Sequence, residues 1–341
     1  MSSSLVATGV QFPDSTTQTT AATGFGFKNR IINGAMYVAQ RGTIYALTNA
    51  LAYGSLDRFF AAQNGTANGR FAQLAYNANS FQNIALLGRN GSATTTGVIY
   101  TGQVIESNNI ADLAGNSVTL SFYAYAGANF SAASNLISVY VISGTTADQG
   151  AASMVAGTWA GTSSIVNTTQ AITTTLTRYT FTATVPSGCK ELGFYIAYTP
   201  TGTAGADDNI YFTGVQLEKG TVATSFDYRP YGTELALCQR YFQVPLNMAT
   251  RLVTGFFWSN NNAFAQGFLK VSMRAAPTVT FSGTFYGIDA SGTGRGMTPG
   301  TESTTTEHIN YAFSNGFNQV AGNATVLGMS SSGYVWASAE L

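Results

Sequence analysis

The feature that most constrains this chain is an alternation of period two that recurs along it. Val118-Thr119-Leu120-Ser121-Phe122-Tyr123-Ala124-Tyr125 alternates apolar with small polar residues, and Tyr179-Thr180-Phe181-Thr182-Ala183-Thr184-Val185 does the same. Such a pattern sends successive side chains to opposite faces, as a half-buried β-strand requires and a helix does not. Ser117 to Tyr125, Asn135 to Ile142, Thr177 to Val185, Leu192 to Tyr198 and Asn209 to Leu217 read as strands, broken by Gly, Asn and Ser. No helix-period segment lies between them, so the expected fold class is all-β: an antiparallel jelly-roll β-sandwich over about residues 26–228. Further strands are expected over Tyr241 to Val244, Leu252 to Ser259, Ala263 to Met273, Thr278 to Phe281, His308 to Phe313, Ala324 to Ser330 and Tyr334 to Ser338. Gly287 to Thr306, dense in Gly, Ser and Thr, reads as a long exposed loop.

A chain of 341 residues exceeds one core, since single cores stop growing near ~250–300 residues. Pro230 and Gly232 mark the division, and Thr233 is placed to cap a short junction helix whose face holds Leu235, Cys238, Tyr241 and Phe242. Residues 229–341 then form a second domain, expected to be a C-terminal β-sandwich. Residues 1–25 hold mostly Ser, Thr, Ala and Gly, too little apolar area for a core, and read as an extended arm. Within it, Pro13 fixes its own φ and Asp14 can bond neighbouring backbone, so that Val10, Phe12, Pro13 and Asp14 form a presented turn.

Charged residues make up 9% of the chain, against roughly 25% in ordinary soluble domains. Water must therefore be met by Ser, Thr, Asn, Gln and Gly, as on an extracellular or virion β-protein or a chain that hides much of its area in an oligomer. Fifteen basic residues balance fifteen acidic ones, which leaves no net field for nucleic acid or an anionic membrane. No run approaches the length of a membrane-spanning helix, and the start of the sequence lacks a signal-peptide pattern. Cys189 and Cys238 are too few for a disulfide framework and lack metal-ligand spacing, so two buried free thiols are expected.

Enzymatic readings have little to work with. His308 is the one histidine, set at a loop-to-strand edge without a nucleophile elbow. Glycan cleavage needs two carboxylates across a cleft. Glu106, Asp112, Asp207, Asp208 and Glu218 are available, but nothing in the sequence pairs any two of them. Asp207 and Asp208, followed by Asn209, offer oxygen ligands for a structural calcium and are equally ordinary turn residues. Gly292 to Gly296 lacks the helix and Lys-Ser/Thr of a phosphate loop.

Binding chemistry is better represented. Sugar rings stack apolar C–H faces on aromatic rings while polar side chains take their hydroxyls. Trp159, in a loop-like setting, is a candidate glycan platform or a rim residue over the core. Trp258 precedes the polar run Ser259 to Asn262, and Tyr286 flanks the expected long loop; both are candidate glycan contacts. Trp336, in the terminal strand, is expected in the core.

Several stretches carry a family resemblance: Val215-Gln216-Leu217-Glu218-Lys219-Gly220 leading through Ser225 to Phe242, Asn29-Arg30-Ile31-Ile32-Asn33-Gly34 with Gln40-Arg41-Gly42, Leu56-Asp57-Arg58-Phe59, Met273 to Val279, and Trp336 to Leu341. In their order along the chain they resemble bacteriophage tail-fibre and minor tail proteins that join a carbohydrate-binding-type sandwich to a C-terminal tip. The segment around Phe12-Pro13-Asp14 is similar to N-terminal segments of phage fibres. The resemblance implies a homotrimeric virion protein, present in the host cytoplasm during assembly, whose arm holds another virion protein and whose body attaches to a host surface glycan. Gln40, Arg41, Asp57 and Arg58 belong to these motifs and read as structural. The competing readings are a capsid or baseplate decoration protein that binds no glycan and, further off, a glycan depolymerase.

Overall fold

The computed structural model describes residues 4–6, 9–11, 17–18, 27–247, 251–259, 261–288, 294–314, 321–329 and 333–341. In the N-terminal segment, β1 (Ser4–Val6), β2 (Gly9–Gln11) and β3 (Thr17–Gln18) pair antiparallel in that order. The expected extended arm is thus in part a small meander. Val10 lies opposite both Leu5 and Gln18, and this pairing satisfies backbone groups that a lone extended segment leaves to water. Phe12, Pro13 and Asp14 lie outside the described residues.

The first domain runs through β4 (Ile44–Ala46), β5 (Phe60–Gln63), β6 (Gly69–Ala78), β7 (Phe81–Arg89), β8 (Ile99–Ile105), β9 (Ser117–Ala126), β10 (Leu136–Gly144), the one-turn helix α1 (Ala151–Val155), β11 (Ser163–Ala171), β12 (Thr177–Thr184), β13 (Glu191–Tyr198) and β14 (Asn209–Lys219). Two sheets result, ordered β11-β10-β13-β8-β5 and β12-β9-β14-β7-β6-β4. From β7 onward most connections cross between the sheets, as in a jelly roll. Alternate residues meet in the middle: Leu120, Phe122 and Ala124 from β9 face Val139, Val141, Phe194 and Ile196 across the gap. Gly214, at φ +62°, stands at a bulge in β14 between Thr213 and Gln216, with the Phe81 ring so close that a Cβ would lie 2.4 Å from it. Only glycine combines that backbone with that contact.

The junction helix α2 (Tyr231–Gln239) starts from Pro230, not from Thr233, which sits inside its first turn. Proline's fixed φ suits a helix start and stops the preceding strand-like chain there. Cys238 and Tyr241 pack with Ile32 and Val38 of the first domain. Both cysteines are buried free thiols.

Beyond α2 come β15 (Phe242–Asn247), β16 (Arg251–Ser259), β17 (Asn262–Phe268), β18 (Thr278–Ser282), β19 (Phe285–Ile288), β20 (Gly294–Thr304), β21 (His308–Ser314), β22 (Ala324–Met329) and β23 (Tyr334–Ser338). The expected second sandwich is instead a closed six-stranded barrel, β16-β17-β21-β20-β19-β22, beside a three-stranded sheet, β15-β23-β18. The difference lies in β20, which occupies most of the stretch that reads as a loop. It pairs with β19 on one side and β21 on the other and so closes the ring. Gly, Ser and Thr supply backbone hydrogen bonds as well as any residue does, and closure removes the exposed edges that an open sheet would leave. Phe257, Ala263, Met297, Tyr311, Phe313 and Leu327 fill the interior. Trp336 is half-buried on the outer side of its sheet, stacked on Tyr334 at 4.2 Å, while Val335 and Ala337 take the core.

Charges scarce elsewhere gather where the domains meet. Glu340 pairs with Arg41 at 3.2 Å and also with Arg58. The Arg41 guanidinium lies 3.5 Å over the Phe242 ring, and that of Arg58 lies 3.6 Å over Tyr241. Glu106 receives Arg240 and the Tyr241 hydroxyl, and Arg274 reaches Asp148 at 3.1 Å. Asp57 accepts from the backbone and side-chain nitrogens of Gln40, whose side chain also bonds the Phe242 carbonyl. The motif residues Gln40, Arg41, Asp57 and Arg58 are therefore joined at the junction. Buried pairs of this kind are costly to break on one side, so the two domains are held as one body.

Candidate functional site

The outside of the barrel carries the aromatic surface. Along β17 the side chains alternate strictly: Ala263 and Ala265 point inward and are buried, while Asn262, Phe264, Gln266 and Phe268 point outward. On β16, Phe257 is buried and Phe256 and Trp258 are 50% and 53% exposed. The β16–β17 pairing brings the indole of Trp258 over Phe264, with centroids 5.5 Å apart and planes 29° from parallel; Phe256 lies 6.4 Å from the same ring. Three aromatic groups thus share one patch on the solvent side.

Beside this patch the barrel opens a cleft of about 280 Å3. Gly300 and Ala312, opposite each other on β20 and β21, keep its floor low because neither carries a bulky side chain. Asn262, Thr298 and Ser314 form a polar rim in one cross-strand row. The combination is an aromatic wall, a shallow floor and uncharged donors and acceptors. Its chemistry suits a ligand with one apolar face and a hydroxylated edge. Among the described residues, no carboxylate lines it.

Trp258 is the sequence candidate that the fold places in this cleft. Of the two readings of Trp159, the fold places it over the core and not as a platform: it is 3% exposed and belongs to a cluster with Met154, Phe60 and Ile142. The turn after α1 folds the indole back over the sheet, where Nε1 donates to the Gly150 carbonyl at 2.9 Å. Gly193, whose added Cβ would meet the indole at 3.2 Å, leaves room beneath it. Trp159 is therefore a roof over the sheet, not a platform. Tyr286 lies within β19, half-buried, with its ring against Gly328 opposite it on β22, and it is not among the residues that line the cleft. It covers a cross-strand glycine instead of flanking a loop.

Asp207 and Asp208 are also corrected, because protein groups occupy their oxygens. Asp208 is fully buried in an ion pair with Arg89 at 2.6 Å and accepts from the backbone and hydroxyl of Ser131. The same guanidinium donates to the carbonyls of Thr95, Thr201 and Gly202, tying together the loops at one end of the sandwich. Asp207 accepts from Asn209, Tyr211 and the Ala128 amide; burial pushes its carboxyl up, but these hydrogen bonds hold it below the usual range. The Arg89 guanidinium holds Asp208, and Asn209, Tyr211 and the Ala128 amide hold Asp207, so neither carboxylate is left open to a calcium ion. Among the described residues there is no cluster of three or more His, Cys, Asp or Glu suited to a metal.

Glu191 is a carboxyl raised by burial. Burial pushes it up to about 7, against hydrogen bonds from Ser107 and the Asp148 amide. Glu191 itself is buried, beneath Ser107 and the partly exposed Asp148 that pairs with Arg274 of the second domain, so it reads as a structural acid. His308 opens β21, with its ring nitrogen 3.0 Å from Thr305 Oγ1. Phe256, Phe264, Phe268 and the polar rim were not singled out from the sequence. The signal was present in parity: in Asn262-Ala263-Phe264-Ala265-Gln266-Gly267-Phe268 the phenylalanines share the polar side of the alternation with Asn262 and Gln266.

No protein-family profile matches the chain, and no curated protein matches it. Among solved structures it is similar to a CBM4 protein, at 18% identity and a TM-score of 0.32, over 55% of this chain and 98% of that one. It is similar to the xylan-binding domain from CBM 22, at 14% identity and a TM-score of 0.32, over 53% of this chain and 98% of that one. The enzymatically active domain of bacteriophage CBA120 tailspike protein 4 is another, at 12% identity and a TM-score of 0.34, over 57% of this chain and 22% of that one. Likeness at this level transfers neither ligand nor activity.

Proposed function

We propose that this chain is a glycan-binding attachment protein of the phage-fibre type, and that the cleft beside Trp258 is its recognition surface. The observation that carries this reading is the stacked Trp258–Phe264 pair, exposed beside a shallow floor and rimmed by Asn262, Thr298 and Ser314. An indole that is 53% exposed offers a face to sugar C–H groups, and uncharged rim groups can exchange hydrogen bonds with hydroxyls. The motifs at the domain junction that resemble phage fibres support a homotrimer on the virion, anchored through the arm to another virion protein. Affinity per cleft is modest because little area is buried, and three linked copies raise it through effective concentration. The stacked pair and the uncharged rim support action by binding, and hydrolysis of a bound glycan would need two carboxylates placed across it.

A second reading has an observation behind it. Phe256 and Phe268 are 50% and 75% exposed, as expected if this face were covered by another subunit in a decoration protein. Binding of labelled protein to intact bacterial cells, with and without periodate oxidation of their glycans, decides between them. The expected result is adhesion that periodate and Trp258→Ala each abolish, with oligomeric state unchanged in the variant. No adhesion to any susceptible strain, together with dissociation of the Trp258→Ala oligomer, overturns the attachment reading in favour of decoration.

A further inference from the structure

The outward side chains of the barrel form a second aromatic station in line with the first. Along β17 they run Asn262, Phe264, Gln266, Phe268, so Phe268 lies four residues beyond Phe264, roughly 13 Å away at strand rise. Phe268 is 75% exposed, and its ring meets that of His308 edge-on at 6.4 Å. Between the two aromatic stations lies a row of uncharged polar groups. Gln266 donates to Asn310 at 3.0 Å, and Asn310 donates to Ser303 at 2.8 Å, crossing β17, β21 and β20. Each of these amides has two N–H donors and a carbonyl oxygen, so the row has hydrogen-bonding capacity beyond the bond that fixes it. Fixing it matters: a pre-positioned amide loses less entropy on meeting a ligand.

Resting on the glycan reading above, we propose that the ligand is a neutral, linear oligosaccharide of several residues laid along β17, from the Trp258–Phe264 pair to Phe268. Two separated aromatic stations with a polar row between them match a chain whose rings present apolar faces at intervals and hydroxyls throughout. A single sugar can occupy one station but cannot reach both. Among the described residues lining the cleft there is no cation, and at the far station His308 stands edge-on to Phe268 with a ring nitrogen 3.0 Å from Thr305 Oγ1. A uronate or sialylated chain would lose hydration of its carboxylate there without gaining a charged partner.

The test is binding of the full-length protein to an array of bacterial surface oligosaccharides, neutral and uronate-containing, graded from disaccharide to octasaccharide, for the unaltered chain, Trp258→Ala and Phe268→Ala. The expected result is preference for neutral chains and affinity that rises with length. Phe268→Ala should weaken the longest ligands roughly 5- to 30-fold while leaving disaccharides unchanged, whereas Trp258→Ala weakens both. Phe268 supports no core, so circular dichroism of that variant should match the parent. Length-independent binding, an acidic preference or insensitivity to Phe268→Ala overturns the extended-site proposal while Trp258-dependent binding leaves the glycan reading standing. Absence of binding across the array, or binding that Trp258→Ala does not change, overturns both.

Discussion

Trp159 and Trp258 sit in comparable sequence settings, each beside a small-residue or polar turn, yet the two domains treat them oppositely. In the sandwich, the outer face of the β11-β10-β13-β8-β5 sheet is roofed by the chain's own α1, by Trp159 and by Leu341. In the barrel, no described segment covers the outer face of β16 and β17, and Phe256, Trp258 and Phe268 are exposed. An aromatic residue on the outward side of a sheet becomes core when a later segment folds over it and a binding surface when none does. Removing a buried aromatic loses both transfer energy and packing, while removing a half-exposed one loses much less of each.

That contrast is breakable by mutation. Trp159→Ala is expected to destabilise the protein by about 3–5 kcal/mol, read as a fall in the urea midpoint at unchanged slope; a loss near zero would mean the roof is not packed as described. A smaller effect is expected from pH, again in the sandwich. Burial raises Glu191 to about 7 and Asp57 to about 6, from ordinary values of 4.5 and 3.8. The folded state therefore holds these protons more tightly than the unfolded chain does. Their own contribution to stability is full below the ordinary values and is lost as pH rises through the folded ones, by at most on the order of 3 kcal/mol per group, whereas Asp207 and Glu106, held below the usual range, contribute in the opposite sense. Glu191→Gln should flatten that dependence between about pH 4.5 and pH 7, and a variant with the parental slope would remove Glu191 as its source. Trp258→Ala should shift folding stability by no more than about 0.5 kcal/mol, despite its expected effect on binding. A loss comparable to that of Trp159→Ala would erase the distinction between the two tryptophans.

Much of the sandwich was legible because its strands obey one rule repeatedly. The expected Leu192 to Tyr198 and Asn209 to Leu217 correspond to Glu191–Tyr198 and Asn209–Lys219, since alternation sets a strand's register against a core. β20 was not legible. Gly294, Gly296 and Gly300 carry no hydrophobic signal, and that strand is held by backbone pairing to β19 and β21, which distant residues supply. The carboxylates were misread for a related reason: Asp208 resembles a turn ligand until Arg89, 119 residues away in sequence, is seen to hold it.

By itself, the sequence determined that this chain is built of strands, which side chains share a face, and that few charges are present to steer it. These follow from local rules: period two, turn residues and composition. Tertiary structure decided which faces are covered. It buried Trp159, exposed Trp258, closed the barrel through a glycine-rich strand and gathered Arg41, Arg58 and Glu340 at the domain junction. Coverage depends on contacts between residues far apart along the chain, and no local pattern encodes which segment will lie over which.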